Sequence, residues 1–273
     1  MPFSIGFTAK SNKASDAASQ TSVNACVKSA KKSVVQVYFA QRGMNLAYYN
    51  DMFDLHCGDT VYVDGKLCGM RGIVTDVNYN FKIKLSDYKR VIAVADTNVT
   101  GTFYSGKFSF ITFDRNTLPK EKVLSWFKAP QSGDDSEIVS GYDDTSFGLC
   151  DISQAGFIFP VQDKGIDYYN AGRVKYICLD SSVGYALVEG REIYEIEFEY
   201  SSGKISGLVC SCYCGGLCKH EYAAMLALKN ALEIADKHFS EQYARTGYFA
   251  AVEKNAFFSF AVNSKPFGSF TLA

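Results

Sequence analysis

Short runs of β-branched and aromatic residues, separated by turn residues, dominate the chain between residues 33 and 95. Such runs are typical of β-strands that bury one face. Asp64-Gly65 directly follows one of them and is a strong hairpin signal. Short strands at this spacing predict a small closed or nearly closed β-barrel. The predicted strands are Ser33–Ala40, Leu46–Tyr49, Asp59–Val63, Gly69–Val77, Asn80–Leu85 and Arg90–Ala95.

Further elements are predicted downstream of these strands. Thr102–Tyr104 and Phe108–Phe113 continue the strand pattern, and a short helix should run from Pro119 to Lys128, with proline at an early helical position. We therefore assign residues 33–130 to one β-barrel-like domain. A stronger helix signal covers Glu221–His238, which is rich in alanine and leucine and contains no glycine or proline.

Composition separates the remaining segments. Residues 1–32 are rich in small and polar residues and are predicted to form a flexible arm. Residues 131–159 open with an acidic, glycine- and serine-containing stretch, which is typical of a loop or linker. Residues 160–245 are assigned to a zinc-binding module, and residues 246–273 to an aromatic C-terminal tail. The predicted fold class is α+β.

Charge and cysteine usage limit the functional classes. The formal net charge of -1 provides no global positive field to hold a polyanion, which argues against strong non-specific nucleic-acid binding. The chain contains no long apolar run and no apolar segment near its start, so we expect neither a membrane span nor a signal peptide. Four of the nine cysteines fall between Cys210 and Cys218. Clustered cysteines in a reducing compartment more often hold metal than form disulfides, so we expect a cytoplasmic metalloprotein.

The cysteine cluster has the composition of a zinc site. Cys210 and Cys212 end a predicted strand, while Cys218 and His220 begin the predicted helix, and two glycines in the connection let the pairs converge. Thiolates and imidazole in a tetrahedral arrangement suit Zn²⁺. Four protein ligands would close the coordination shell, so we expect a structural zinc ion and no catalytic residues.

Alternatives remain open at this cluster. Cys214 could replace Cys212 as a ligand, which would lengthen the first ligand pair. The thiols could also form a redox-sensing zinc site, or they could be disulfide-bonded or inert cysteines without metal.

The order Cys-x-Cys, five residues, Cys-x-His, then a helix resembles the SWIM zinc finger. The resemblance extends upstream to Lys164–Val174 and to the strand pair Ala186–Gly190 and Ile193–Phe198, and it covers about residues 160–235. It implies a ββα unit with Cys210, Cys212, Cys218 and His220 as ligands. It also implies binding to DNA or to proteins, as in other members of that family.

A second resemblance concerns the predicted barrel. Leu55–Val63 followed by Gly69–Val77 is similar to a pattern found in small bacterial β-barrels, including the N-terminal domain of the primosomal helicase. The chain contains no G-x-x-x-x-G-K-[ST] phosphate loop, so neither resemblance implies an ATPase activity here.

Basic and aromatic residues alternate between Tyr79 and Arg90, as on a surface that binds single-stranded nucleic acid. We therefore expect a non-catalytic zinc protein that contacts DNA or RNA together with a protein partner, without a membrane or a small-molecule substrate. The alternatives are a pure protein-interaction adaptor and an enzyme with an active site in residues 33–160, where no motif is found. The predicted nucleic-acid contacts are Lys82, Lys84, Lys89 and Arg90.

Overall fold

The computed structural model describes residues 3–6, 31–130, 141, 145–262 and 269–273, which form β-strands and α-helices in nearly every segment. None of the helices in these ranges is long and apolar enough to cross a membrane. The strands are β1 (Phe3–Gly6), β2 (Ser33–Phe39), β3 (Met44–Asn50), β4 (Thr60–Val63), β5 (Arg71–Asn78), β6 (Val91–Val94), β7 (Thr100–Ser105), β8 (Ser109–Thr112), β9 (Phe147–Gly148), β10 (Val174–Asp180), β11 (Val183–Glu189), β12 (Ile193–Ser201), β13 (Lys204–Cys210), β14 (Tyr248–Glu253) and β15 (Ser269–Leu272). The α-helices are α1 (Lys120–Phe127), α2 (Phe159–Asn170), α3 (Lys219–His238), α4 (Ser240–Thr246) and α5 (Lys254–Phe257).

The smaller sheet contains five strands in the order β3-β2-β5-β4-β6, each antiparallel to its neighbours. Alternate residues of β2, among them Val35 and Val37, are fully buried in its core, as the alternation in the sequence predicts. The hairpin predicted at Asp64-Gly65 is confirmed, because β4 pairs with β5 across a connection that contains one 3-10 turn, Gly65–Leu67.

Of the predicted closed or nearly closed barrel, the closed form is not observed among the described residues. The edge strands β3 and β6 meet at a single bridge between Tyr49 and Arg90, where the N–H of Tyr49 donates to the carbonyl of Lys89 at 2.9 Å. A closed barrel needs a continuous ladder between its first and last strands, and one bridge does not supply it. The sheet is therefore open.

The larger sheet has the strand order β1-β15-β7-β8-β14-β10-β11-β12-β13-β9 within the described residues. All neighbours are antiparallel except β15 and β7. The strand pair predicted at 186–190 and 193–198 is confirmed in β11 and β12, which are paired over their length. The described structure is a mixed α and β fold built on two sheets.

Several strands of the larger sheet come from segments for which the sequence predicts another location. β7 and β8 are predicted to belong to the barrel, yet β8 pairs with β14. β14 lies between β8 and β10, although residues 246–273 are predicted to be a tail. Residues 3–6 of the predicted arm pair with β15. Residues 7–30 of that arm, and residues 131–140 and 142–144 of the predicted linker, lie outside the described residues. The bounds of independently folding units stay a prediction.

Helix α3 covers one face of the larger sheet. Met225 and Leu228 are fully buried in a core that also contains Ile196 and Phe198 from β12. The predicted helix at 221–238 is confirmed, and α3 begins two residues earlier. Helix α2 packs against α3 at Gly165, because a Cβ atom at that position would lie only 2.7 Å from the Tyr222 side chain.

Helix α1 joins the two sheets. The indole N–H of its Trp126 donates to the carbonyl of Asp96 at 2.7 Å, and the guanidinium of Arg71 from β5 donates to the Trp126 carbonyl at 2.8 Å. The Trp126 ring stacks on Phe260, which belongs to the core on the second face of the larger sheet. The helix predicted between residues 119 and 128 therefore links the smaller sheet to the core on the second face of the larger sheet.

Candidate metal centre

The first pair of predicted ligands, Cys210 and Cys212, lies at the end of strand β13. The strand ends at Cys210, which is opposite Ile196 of β12. Beyond it, the N–H of Ser211 donates to the carbonyl of Glu195 at 2.9 Å, and the Ser211 hydroxyl accepts from the Glu195 N–H at 2.9 Å. These two hydrogen bonds extend the strand pairing by one residue. Because side chains alternate along an extended chain, Cys210 and Cys212 project to the same side.

The second pair, Cys218 and His220, lies at the N-terminus of α3. Cys218 is the N-cap residue of α3: its sulfur accepts from the Glu221 N–H at 3.5 Å, and its own N–H donates to a Glu221 carboxylate oxygen at 2.6 Å. This is a capping box with cysteine in the place usually taken by serine or threonine. The cap orients the first turn of the helix and therefore the imidazole of His220.

The four side chains converge on one point. The ligand atoms of Cys210, Cys212, Cys218 and His220 all lie within 4.8 Å of one another. Nδ1 of His220 is 3.9 Å from the sulfur of Cys210 and 3.7 Å from that of Cys218. A tetrahedral zinc ion with ordinary bond lengths places sulfur and nitrogen ligands about 3.6 Å apart. The cluster therefore fits a zinc ion with little movement.

Burial and hydrogen bonding shift the pKa values of Cys212, Cys218 and His220 towards the neutral forms of these side chains. Burial, together with hydrogen bonding to Cys214, raises the pKa of Cys212 to about 12. A hydrogen bond with Cys210 and then burial raise the pKa of Cys218 well above its usual range. Burial lowers the pKa of His220 to about 4, with a smaller contribution from Lys219. A bound divalent cation would reverse this balance at the sulfurs, because it stabilises thiolate over thiol.

The imidazole of His220 is held between aromatic rings. Tyr194 stacks on it at a centroid distance of 4.3 Å, and Tyr168 contacts it edge-on at 5.5 Å. Its Nε2 atom is buried and has no hydrogen-bond partner among the described residues. A side chain at Gly190 would place its Cβ 3.1 Å from that Nε2 atom, so glycine is needed there. This packing directs Nδ1 towards the sulfurs, so a metal ion bound at Nδ1 would leave the proton on Nε2.

No protein family model matches this chain, and no curated protein or solved structure matches it either. The SWIM family is therefore not shown. The resemblance stays a prediction, and the convergence of the four side chains is the independent observation that supports it.

Cys214 lies outside the four-residue cluster and is exposed. We expect Cys214→Ser to keep one zinc ion per chain and the stability of the wild type, because serine preserves the size of the side chain and a ligand atom is not lost. Metal analysis by mass spectrometry and urea unfolding would test this. Loss of zinc in this variant would favour the alternative ligand pair of Cys210 and Cys214.

The predicted nucleic-acid contacts do not lie on a strand. The prediction of a strand over residues 80–85 is wrong, since this segment is irregular and leads into a 3-10 turn, Leu85–Asp87. The side chain of Asn78 accepts a hydrogen bond from the N–H of Asn80, which forms a tight turn where β5 ends. The pattern of apolar and basic residues that predicted a strand here has another cause: the ring of Phe81 packs on that of Tyr49.

These four residues belong to the segment between β5 and β6, whereas the candidate metal ligands lie at the end of β13 and the start of α3. Lys82, Lys84 and Lys89 are exposed, and none of them forms an ion pair with a described residue. Arg90 is different, because its guanidinium is paired with Asp51 and lies over the ring of Tyr49.

The sequence assigned no role to the residues that position the metal ligands. Glu221 could have been found, because a carboxylate three residues after an N-cap residue is a known signal. The roles of Tyr168 and Tyr194 could not have been predicted, since nothing in their local sequence indicates contact with His220.

Proposed function

We propose that this chain is a zinc-stabilised, non-catalytic recognition protein that contacts nucleic acid together with a protein partner. The observation that carries the zinc assignment is the convergence of three thiols and one imidazole within 4.8 Å. Such a donor set is typical of structural zinc. The zinc would be held by Cys210, Cys212, Cys218 and His220, and it would supply a rigid link between β13 and α3. Four protein donors leave no open position for a reacting water, which supports a structural role.

Uncompensated positive charge on the smaller sheet supports the nucleic-acid part of the proposal. Lys82, Lys84 and Lys89 project into solvent from one segment, and about half of the Tyr79 side chain is exposed beside them in sequence. The ammonium group of Lys31 lies 5.9 Å from the Tyr79 ring. Lysines that neutralise phosphates next to an exposed ring are the elements of a single-strand binding surface.

Replacement of these lysines should weaken binding and reduce its dependence on salt. In fluorescence anisotropy titrations with labelled single-stranded and double-stranded DNA and RNA, we expect the zinc-loaded protein to bind more weakly as salt increases. Removal of three phosphate contacts from a single strand should lower the slope of log K against log salt by about 2. The test variant is the triple substitution Lys82→Gln, Lys84→Gln, Lys89→Gln.

A matched control separates this effect from the loss of net charge. The triple variant Lys204→Gln, Lys229→Gln, Lys237→Gln removes the same charge from the larger sheet and α3. Equal loss of affinity in both variants would contradict a binding surface at residues 82–89. No binding of the wild type to any of the four nucleic acids would refute the nucleic-acid part altogether.

A protein-interaction adaptor is the second candidate, and exposed apolar side chains near the zinc cluster favour it. Tyr213, between two cysteines of the cluster, is fully exposed. Ile158 and Phe159, at the start of α2, are 66% and 77% exposed. A Cβ atom at Gly156 would lie 3.7 Å from Leu217, so this segment approaches the loop of the zinc ligands. Salt-independent association with a co-purifying protein would support this candidate.

A further inference from the structure

A cavity of about 550 Å³ opens on the face of the larger sheet opposite α3. Its wall contains Tyr176, Tyr185 and Tyr248, which lie on the neighbouring strands β10, β11 and β14. These rings belong to the second core of the sheet, whereas α3 packs on the first, against which Cys210 also lies. The start of α1 forms another part of the wall. The volume lies within the range of small-molecule sites.

The rings of these tyrosines line the cavity, whereas their hydroxyl groups donate hydrogen bonds to other groups of the protein. The hydroxyl of Tyr176 donates to the carbonyl of Leu118 at 2.6 Å, and that of Tyr185 donates to a Glu195 carboxylate oxygen at 2.9 Å. Burial raises the pKa of both tyrosines well above the usual range, so both rings are neutral. The electron-rich face of a neutral aromatic ring attracts cations.

The protein already places its own cations over two of these rings. The ammonium group of Lys120 lies 5.2 Å from the centroid of Tyr185, and the guanidinium of Arg115 lies 5.4 Å from that of Tyr248. Arg115 is held in place by two hydrogen bonds to Asp180, of 2.9 and 2.7 Å. Lys120 is exposed and forms no ion pair with a described residue, so it is free to leave the ring.

The charges that line the cavity favour a cationic ligand. Four carboxylates face two cations, and one of these cations, Arg115, is already paired. Glu197 and Glu199 project from β12 on the same side as the tyrosines, because Ile196 and Phe198, which alternate with them along the strand, point into the other core. The carboxylate of Glu197 forms no hydrogen bond or ion pair with the residues that the structure describes. An entering cation would therefore meet an uncompensated carboxylate.

We propose that this cavity binds a small organic cation with a methylated or alkylated ammonium group, which takes the place of the Lys120 ammonium over the ring of Tyr185. Glu197 and Glu199 supply the counter-charge, and the tyrosines contact the apolar part of the ligand. Methylated ammonium groups suit such a site because they combine a positive charge with an apolar surface. This inference does not depend on the zinc proposal, since the two sites occupy opposite faces of the sheet.

Choline and its neutral isostere 3,3-dimethylbutan-1-ol are the probes, since they differ in charge and hardly in shape. We expect choline to bind the whole chain at least tenfold more tightly than the isostere, as measured by isothermal titration calorimetry at low salt and by saturation-transfer NMR. Equal affinities would overturn the proposed cation recognition. Absence of binding by both probes, or tighter binding of phenylacetate than of choline, would also overturn it.

Two exposed positions should change the affinity in opposite directions. Glu197→Gln should weaken choline binding about threefold to tenfold, because it removes counter-charge. Lys120→Met should strengthen choline binding several-fold, because the ring of Tyr185 then has no internal cation to release. Glu233→Gln and Lys237→Met, on the exposed side of α3, are the matched controls and should leave the affinity unchanged. A loss of affinity in Lys120→Met would contradict the proposed position of the ligand.

Discussion

Replacing Cys218 with serine should abolish zinc binding and lower the free energy of unfolding by at least about 4 kcal/mol, the value expected when free metal is a thousandfold above its dissociation constant. Cys218 has two roles in the structure, as one of four converging ligand atoms and as the N-cap of α3. Serine is a preferred N-cap residue, so this substitution keeps the cap and removes only the thiolate. Zinc content by mass spectrometry and urea unfolding of the zinc-loaded proteins would measure both effects.

Chelation and a second variant distinguish the effect of losing the metal from the effect of losing the helix cap. Chelation of zinc from the wild type should lower its stability to that of Cys218→Ser, because both then lack the same link between β13 and α3. Cys218→Ala should be less stable than Cys218→Ser by about 1 kcal/mol, the usual value of an N-cap. If Cys218→Ser retained one zinc ion and the wild-type unfolding midpoint, the ligand assignment would be wrong.

Replacing Trp126 with alanine should lower the free energy of unfolding by about 3–5 kcal/mol, the range observed when a large aromatic residue is removed from a core. Trp126 is fully buried, donates a hydrogen bond to the carbonyl of Asp96 and stacks on Phe260. Its removal would leave a cavity in the core on the second face of the larger sheet, beside the hydrogen bond to Asp96. Urea unfolding followed by far-UV circular dichroism suits this test, because the chain has one tryptophan and its fluorescence would be lost.

Trp126→Phe is the matched variant for this position. It keeps an aromatic ring against Phe260 but loses the indole N–H, so we expect an intermediate effect of about 1–3 kcal/mol from the unsatisfied carbonyl of Asp96 and the smaller ring. An unchanged unfolding midpoint for Trp126→Ala would show that this residue does not hold the two sheets together.

The features that sequence reasoning predicted correctly depend on local spacing. Helix α3 follows from a run of helix-forming residues, and the strands β2, β4, β11 and β12 follow from alternation over a few residues. The convergence of the four ligands could be predicted for the same reason, because a strand end, a loop with two glycines and a helix start are adjacent along the chain. Local backbone preferences suffice for such features.

Strand partners and side-chain environments were decided by tertiary structure. Nothing local in residues 248–253 shows that this strand lies between β8 and β10, whose residues are distant in sequence. The wrong strand prediction at residues 80–85 has the same origin. An apolar residue at position 81 indicates that its side chain is packed, but the sequence does not show that Phe81 contacts the ring of Tyr49 and that the segment has no paired strand.

By itself, the sequence determined helix α3, the strands β2, β4, β11 and β12, and the four side chains of the candidate metal centre, because each is encoded within a few neighbouring residues. Tertiary structure alone decided how the strands share two sheets, which rings flank His220, and that Tyr176, Tyr185 and Glu197 line one cavity. The physical reason is that these arrangements are stabilised by burial and contact between residues far apart in the chain, whose free energies depend on the whole fold and leave no periodic signal in the sequence.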